Sequence, residues 1–161
     1  MDTKINKKVQ HLTTVICESS AVDRDSNKLS IFNVIEEVNV SLDSTQKQLI
    51  DLNQKKGIPL PFEIVSVWGK LNNADEISTE IKIILHDPDD VVMQELPYKL
   101  EIKAVHQRMR IRIKSNGLNI TKQGNYYFSI LLKSGNSFEE VSRVPLVIKM
   151  TLPSDLKLLK E

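Results

Sequence analysis

Ile77-Ser78-Thr79-Glu80-Ile81-Lys82-Ile83-Ile84-Leu85-His86 carries the clearest two-residue periodicity in the chain. Side chains of a β-strand alternate between its two faces, so Ile77, Thr79, Ile81, Ile83 and Leu85 share one side. A helix would scatter the same residues around its circumference. His86-Asp87-Pro88-Asp89-Asp90 then supplies turn chemistry and Val91-Val92-Met93 resumes an apolar run.

The same beat recurs in both directions. Val9 to Cys17 is apolar and β-branched, and Asp23-Arg24-Asp25-Ser26-Asn27 forms an ionic turn. In Lys28 to Val40, Leu29, Ile31 and Asn33 share one face, and Ser30, Phe32 and Val34 the other. The phase changes around Ile35 to Val38, which predicts a bulge in the second arm of a long hairpin. Phe62 to Leu71 is a strand holding the one tryptophan, Trp68. After Pro97, Tyr98 to Lys114 is too long for an uninterrupted strand, and its register slips near Val105-His106 before Met109, Ile111 and Ile113 restore it. Ser115-Asn116-Gly117 turns the chain, and Gly124 to Lys133 and Val141 to Thr151 complete the series.

One helix is expected, from Ser44 to Lys56. Asp43 with Gln46 matches a capping box, and Lys55-Lys56-Gly57 offers cations and a left-handed cap at the far end. Its apolar face, Leu49, Ile50 and Leu52, is thin. Short connections and a single crossover helix predict an all-β, two-layer antiparallel sandwich of about eight strands. Residues 1–152 read as one domain and 153–161 as a C-terminal tail.

Composition narrows the function classes. A chain of 161 residues with net charge +1 carries no global field toward nucleic acid or anionic lipid. The single cysteine, Cys17, cannot close an internal disulfide, and no stretch approaches the roughly 20 apolar residues that span a bilayer. A cytoplasmic protein without a cofactor is expected.

The sharpest local feature is Arg108-Met109-Arg110-Ile111-Arg112-Ile113-Lys114. In a strand, Arg108, Arg110, Arg112 and Lys114 form a row spaced about 7 Å apart. Neighbours repel by roughly 0.6 kcal/mol even in bulk water, so acidic groups should lie beside them. Glu80 or Glu101 can supply these across strands on a solvated face. An acidic partner protein or phosphates can supply them in a binding face. Nucleic acid is the less favoured partner, since stacking aromatics are scarce. A second candidate is a hard-cation site built on Asp87, Asp89 and Asp90 with His86, whose plain alternative is a turn. Catalysis finds little support: His11 and Cys17 share a face but stand about 20 Å apart on one strand. Trp68, Phe62, Tyr126 and Phe128 read as core.

Two segments carry a resemblance. Val15-Ile16-Cys17-Glu18, the Asp23 to Asn27 turn and Lys28 to Ile35 resemble the opening of an uncharacterised family of small bacterial β-sandwich proteins, with Asn33 where that family has glycine. Gly124-Asn125-Tyr126-Tyr127-Phe128 resembles the Gly-x-Tyr-x-Phe strand of immunoglobulin-like and C2-like sandwiches. The resemblance implies a fold and no chemistry. The expected role is a non-enzymatic protein-interaction domain that meets another protein or its own copy through the cationic strand or a sheet edge.

Overall fold

The computed structural model describes residues 8–51, 55–71 and 75–151. Eleven strands and one helix occupy them: β1 (Val9–Val22), β2 (Leu29–Val34), β3 (Glu37–Ser41), α1 (Ser44–Asp51), β4 (Lys56–Ile58), β5 (Phe62–Lys70), β6 (Ile77–His86), β7 (Val92–Ile102), β8 (Arg108–Ser115), β9 (Leu118–Ile120), β10 (Gly124–Ser134) and β11 (Ser137–Thr151). One sheet has the order β2-β1-β5-β8, the other β3-β11-β10-β6-β7, and β4 pairs with β9. The fold is an all-β, two-layer sandwich.

The core is a single cluster fed from both layers. Ile16, Ile64 and Trp68 come from the first sheet, and Ile81, Ile83, Leu100, Tyr126, Ile130 and Ile148 from the second. In β6 the predicted face is the inner one: Ile77, Ile81, Ile83 and Leu85 are all buried. Each such side chain contributes roughly 1.5–3 kcal/mol by leaving water.

Four expectations need correction. The phase change at Ile35 to Val38 is no bulge within one strand. There β2 ends and β3 crosses to the other sheet, where it pairs in parallel with the end of β11, Val147 opposite Glu37. The sandwich is therefore antiparallel with one parallel pair, and it has more strands than the eight expected. The slip near Val105-His106 is a second crossing, from β7 in one sheet to β8 in the other. Inside β7, Pro97 is tolerated because that strand is an edge, which has an unpaired side.

The helix is shorter than expected. Its start is as read: Gln46 N–H donates to Asp43 Oδ1 at 2.7 Å, and Gln46 Oε1 accepts from Asp43 N–H at 3.1 Å. Its end differs, since Lys56 and Gly57 belong to β4 rather than to a cap. Pairing of β4 with β9 wins over helix extension there. The side chains of Leu49, Ile50 and Leu52, and the tail 153–161, lie outside the described residues.

Asn33 adopts φ 52°, the left-handed region where glycine is most at ease and asparagine next most. Its side-chain amide donates to Glu18 at 2.6 Å. That reconciles asparagine with a position where glycine was expected.

Tyr126 closes the β9–β10 corner. Its hydroxyl donates to Lys122 O at 2.8 Å and accepts from the N–H groups of Thr121 and Lys122 at 3.1 and 3.3 Å. A tyrosine near a strand start, bonded to the backbone just upstream, is the corner device of immunoglobulin-like sandwiches. Tyr126→Phe should cost roughly 1–2 kcal/mol, because it leaves those backbone groups unpaired. Urea unfolding of the two proteins, compared at equal slope, checks this.

Candidate functional site

Strand β5 is buried on both of its faces, although it belongs to only one layer. Phe62, Ile64 and Trp68 face the core, while Glu63, Val65 and Val67 on the opposite face are also shielded. The register shows what lies beside them. Glu63 pairs with Lys114, Val65 with Arg112, Val67 with Arg110 and Gly69 with Arg108. The cationic row thus lines the outer face of the first sheet, on its edge strand β8.

The shield is the β1–β2 hairpin. Arg110 is aligned through Val67 with Thr13 of β1. A straight β1 would carry its Val22 end about 30 Å beyond Thr13. Yet Arg110 Nη1 and Nη2 donate to Asn27 Oδ1 and Asn27 O, each at 2.8 Å. Beyond Cys17 the hairpin must therefore bend back across the outer face of β5 and β8. Its burial pattern agrees: Ser20 is buried and Val22, Leu29 and Ile31 are half-buried. Ser19, Ala21, Ser30 and Phe32 are exposed.

Arginines clasp the hairpin in place. Arg112 Nε donates to Ser20 Oγ at 2.7 Å and Nη2 to Ser20 O at 2.6 Å. Ser20 Oγ in turn donates to Glu63 Oε2 at 2.5 Å. Arg112 Nη2 and Lys114 Nζ each stand 3.4 Å from a Glu63 oxygen. The acid that answers the row is thus Glu63. Glu80 and Glu101, the partners expected from the sequence, lie in the other sheet and pair with Lys133 and Lys99. That difference follows from the β7-to-β8 crossing, which separates Glu101 from the row.

Burial pushes the Glu63 carboxyl up. The Ser20 hydrogen bond and the charges of Arg112 and Lys114 outweigh this and hold it below the usual carboxylate range. Cys17, opposite Glu63 and fully buried, moves the other way. Burial first, then the Glu63 charge, raises its thiol, so it is a poor nucleophile at neutral pH.

His11 and Cys17 do not share a face, contrary to the simple alternation. A bulge between His11 and Thr13 swaps the sides of β1. His11 Nε2 lies 2.7 Å from Thr14 Oγ1 and its ring meets Trp68 edge-on at 5.0 Å. Leu12 instead covers Gly69, where an added Cβ would stand 3.2 Å from its side chain.

The row divides into two ends. Arg110, Arg112 and Lys114 are held within the chain, whereas Arg108 has no hydrogen-bonding or ionic partner among the described residues. Arg108 lies in a groove of about 530 Å³ between Val22 and Asn27 of the hairpin tip and the Val105–Arg110 segment. Among the described residues no carboxylate lines it. Val105 is 83% exposed and Met109 38%, which gives the groove an apolar rim.

The aspartate turn is engaged within the protein. Asp87 Oδ1 accepts the N–H groups of Asp89 and Val91 at 2.9 Å each. Asp89 pairs with Lys122, and Asp90 accepts from the Tyr127 hydroxyl and sits 3.4 Å from His86 Nδ1. His86 stacks on Tyr127 at 4.5 Å, and the Arg143 guanidinium lies 4.1 Å from the same ring. Among the described residues no group of three or more His, Cys, Asp or Glu is placed to hold a metal ion. No helix there is long and apolar enough to cross a membrane.

No family model and no curated protein matches the chain. Among solved structures it is similar to an immunoglobulin-like protein from Pseudomonas aeruginosa. The two share 8% identity over 92% of this chain and 98% of that one, at a TM-score of 0.34. That likeness transfers no site residue.

Reading along the chain misses Glu63, Ser20, Asn27 and the Val105–Gln107 loop. One signal was present: Glu63 is the lone charged residue in the mostly apolar stretch Phe62 to Trp68.

Two outcomes follow from the clasp. Glu63 is depressed in the folded state, so its stabilisation is complete above the unfolded carboxylate's range and lost as pH falls through the folded value. Wild type should therefore lose stability more steeply than Glu63→Gln below about pH 4, while the variant is weaker at pH 7 by on the order of 1–3 kcal/mol. Urea melts across pH measure both. Arg110→Ala with Arg112→Ala should speed amide hydrogen exchange at residues 19–31 and leave β6 and β10 protected. Equal acceleration in all strands would show that the clasp is no local device.

Proposed function

We propose that this chain is a non-enzymatic protein-interaction domain that meets its partner at the Arg108 end of β8. The observation that carries the reading is Arg108: a cation on an edge strand, beside a groove without carboxylates and without a partner in the described chain. Neighbouring like charges repel, and in this row Glu63 offsets that repulsion for Arg112 and Lys114. An arginine left open beside exposed Val105 and Met109 fits recognition, where arginine and methionine are enriched. The thiol of Cys17 and the ring of His11 are committed to packing, which supports a binding role over nucleophilic chemistry.

Substituting Arg110 or Arg112 is a poor test, because both hold the hairpin. Arg108 is not part of the clasp. A photo-crosslinking side chain at Gln107, introduced in cells of the source organism, should trap a recurrent protein. Arg108→Glu should abolish that product at unchanged melting temperature. A crosslink profile indifferent to Arg108→Glu would sink the assignment.

A further inference from the structure

The interaction reading leaves the partner's chemistry open, and the groove at the hairpin tip narrows it. Its walls come from two segments brought together by the clasp: the tip of the β1–β2 hairpin and the loop entering β8. Arg110 forms part of the wall with both terminal nitrogens engaged by Asn27, so it contributes positive charge without a free fork. Arg108 contributes one with no partner among the described residues. His106 and Gln107 supply further polar atoms. Val22, Val105 and Met109 supply apolar surface, and among the lining residues there is no phenylalanine, tyrosine or tryptophan.

We infer that this groove takes an extended peptide segment of a partner protein, carrying a carboxylate for Arg108 flanked by apolar side chains that cover Val105 and Met109. The inference rests on the interaction reading above. A planar guanidinium offers two parallel donors, which match a carboxylate bidentately. The apolar rim discriminates between acidic partners. A single nucleic-acid strand gains most from stacking its bases on aromatic rings, and the described lining of the groove has no phenylalanine, tyrosine or tryptophan. A peptide places a leucine-like side chain there and removes exposed apolar area from water.

The test uses the full chain labelled with nitrogen-15, a short acetylated and amidated peptide of alternating glutamate and leucine, and three controls. These are the lysine–leucine peptide, the glutamate–serine peptide and a thymidine oligonucleotide. The glutamate–leucine peptide should shift the amide signals of Val105, His106, Arg108 and Met109 in a saturable way. Arg108→Gln should weaken that binding roughly ten-fold or more. The glutamate–serine peptide should bind more weakly, and the lysine peptide should leave the four signals in place. The proposal is overturned if the glutamate–leucine peptide moves none of these signals, if the lysine or serine version binds equally well, or if the oligonucleotide binds more tightly. Failure here with Arg108-dependent crosslinks intact removes the acidic-peptide chemistry alone. Loss of the crosslinks removes the interaction reading beneath it.

Discussion

A nearly water-free carboxylate, Glu63, sets the terms for half of this molecule. Moving an ion of that kind from water costs several kcal/mol after relaxation, and only close opposite charge with good hydrogen bonds offsets it. Both kinds of compensation come from other strands: Ser20 from β1, Arg112 and Lys114 from β8. Satisfying Glu63 thus requires β1 to leave its straight course, and that bend covers Val65 and Val67. Strand β5 becomes a second, smaller interior outside the sandwich proper. The arginines complete it because their aliphatic stems can lie over apolar surface while their heads bond to hairpin oxygens.

Along β8 the same side-chain type does different work at its two ends. Toward Lys114 the cations are matched to a fixed internal acid. Toward Arg108 the hairpin tip stops short, and the sheet face opens into the groove. The groove exists because the hairpin is clasped at Asn27 and Ser20, so internal pairing at one end shapes the vacancy at the other. The groove is in this sense a by-product of the solution to a burial problem.

Much of the fold was legible because local pattern and burial agree. Ile77 to His86 matches β6 residue for residue, the Asp43–Gln46 cap starts the helix as read, and Gly124 opens β10. The failures share a cause. At Ile35 to Val38 and again at Val105-His106 the alternation changes phase. Phase reports when a side chain swaps face, but not whether the strand kinks or the chain passes to the other layer. Strands β4 and β9 are three residues each, too short for any periodicity. The bulge at Leu12 inverts the apparent agreement of His11 with Cys17. For the site, the row itself was plain in the sequence, and its counter-ion was not. Which acid meets Arg112 depends on strand order, a non-local property that spacing along one strand does not encode.

The position of Pro97 has a consequence for how copies of this protein meet one another in concentrated solution. It sits midway along β7, an edge whose outer side would otherwise offer an unbroken ladder of donors. Lacking an N–H, proline interrupts that ladder, so the β7 rim is a poor template for templated stacking into fibres. No proline interrupts β8, whose distinguishing mark is its row of basic side chains. One rim is interrupted by a missing donor, and the other is marked by a run of cations.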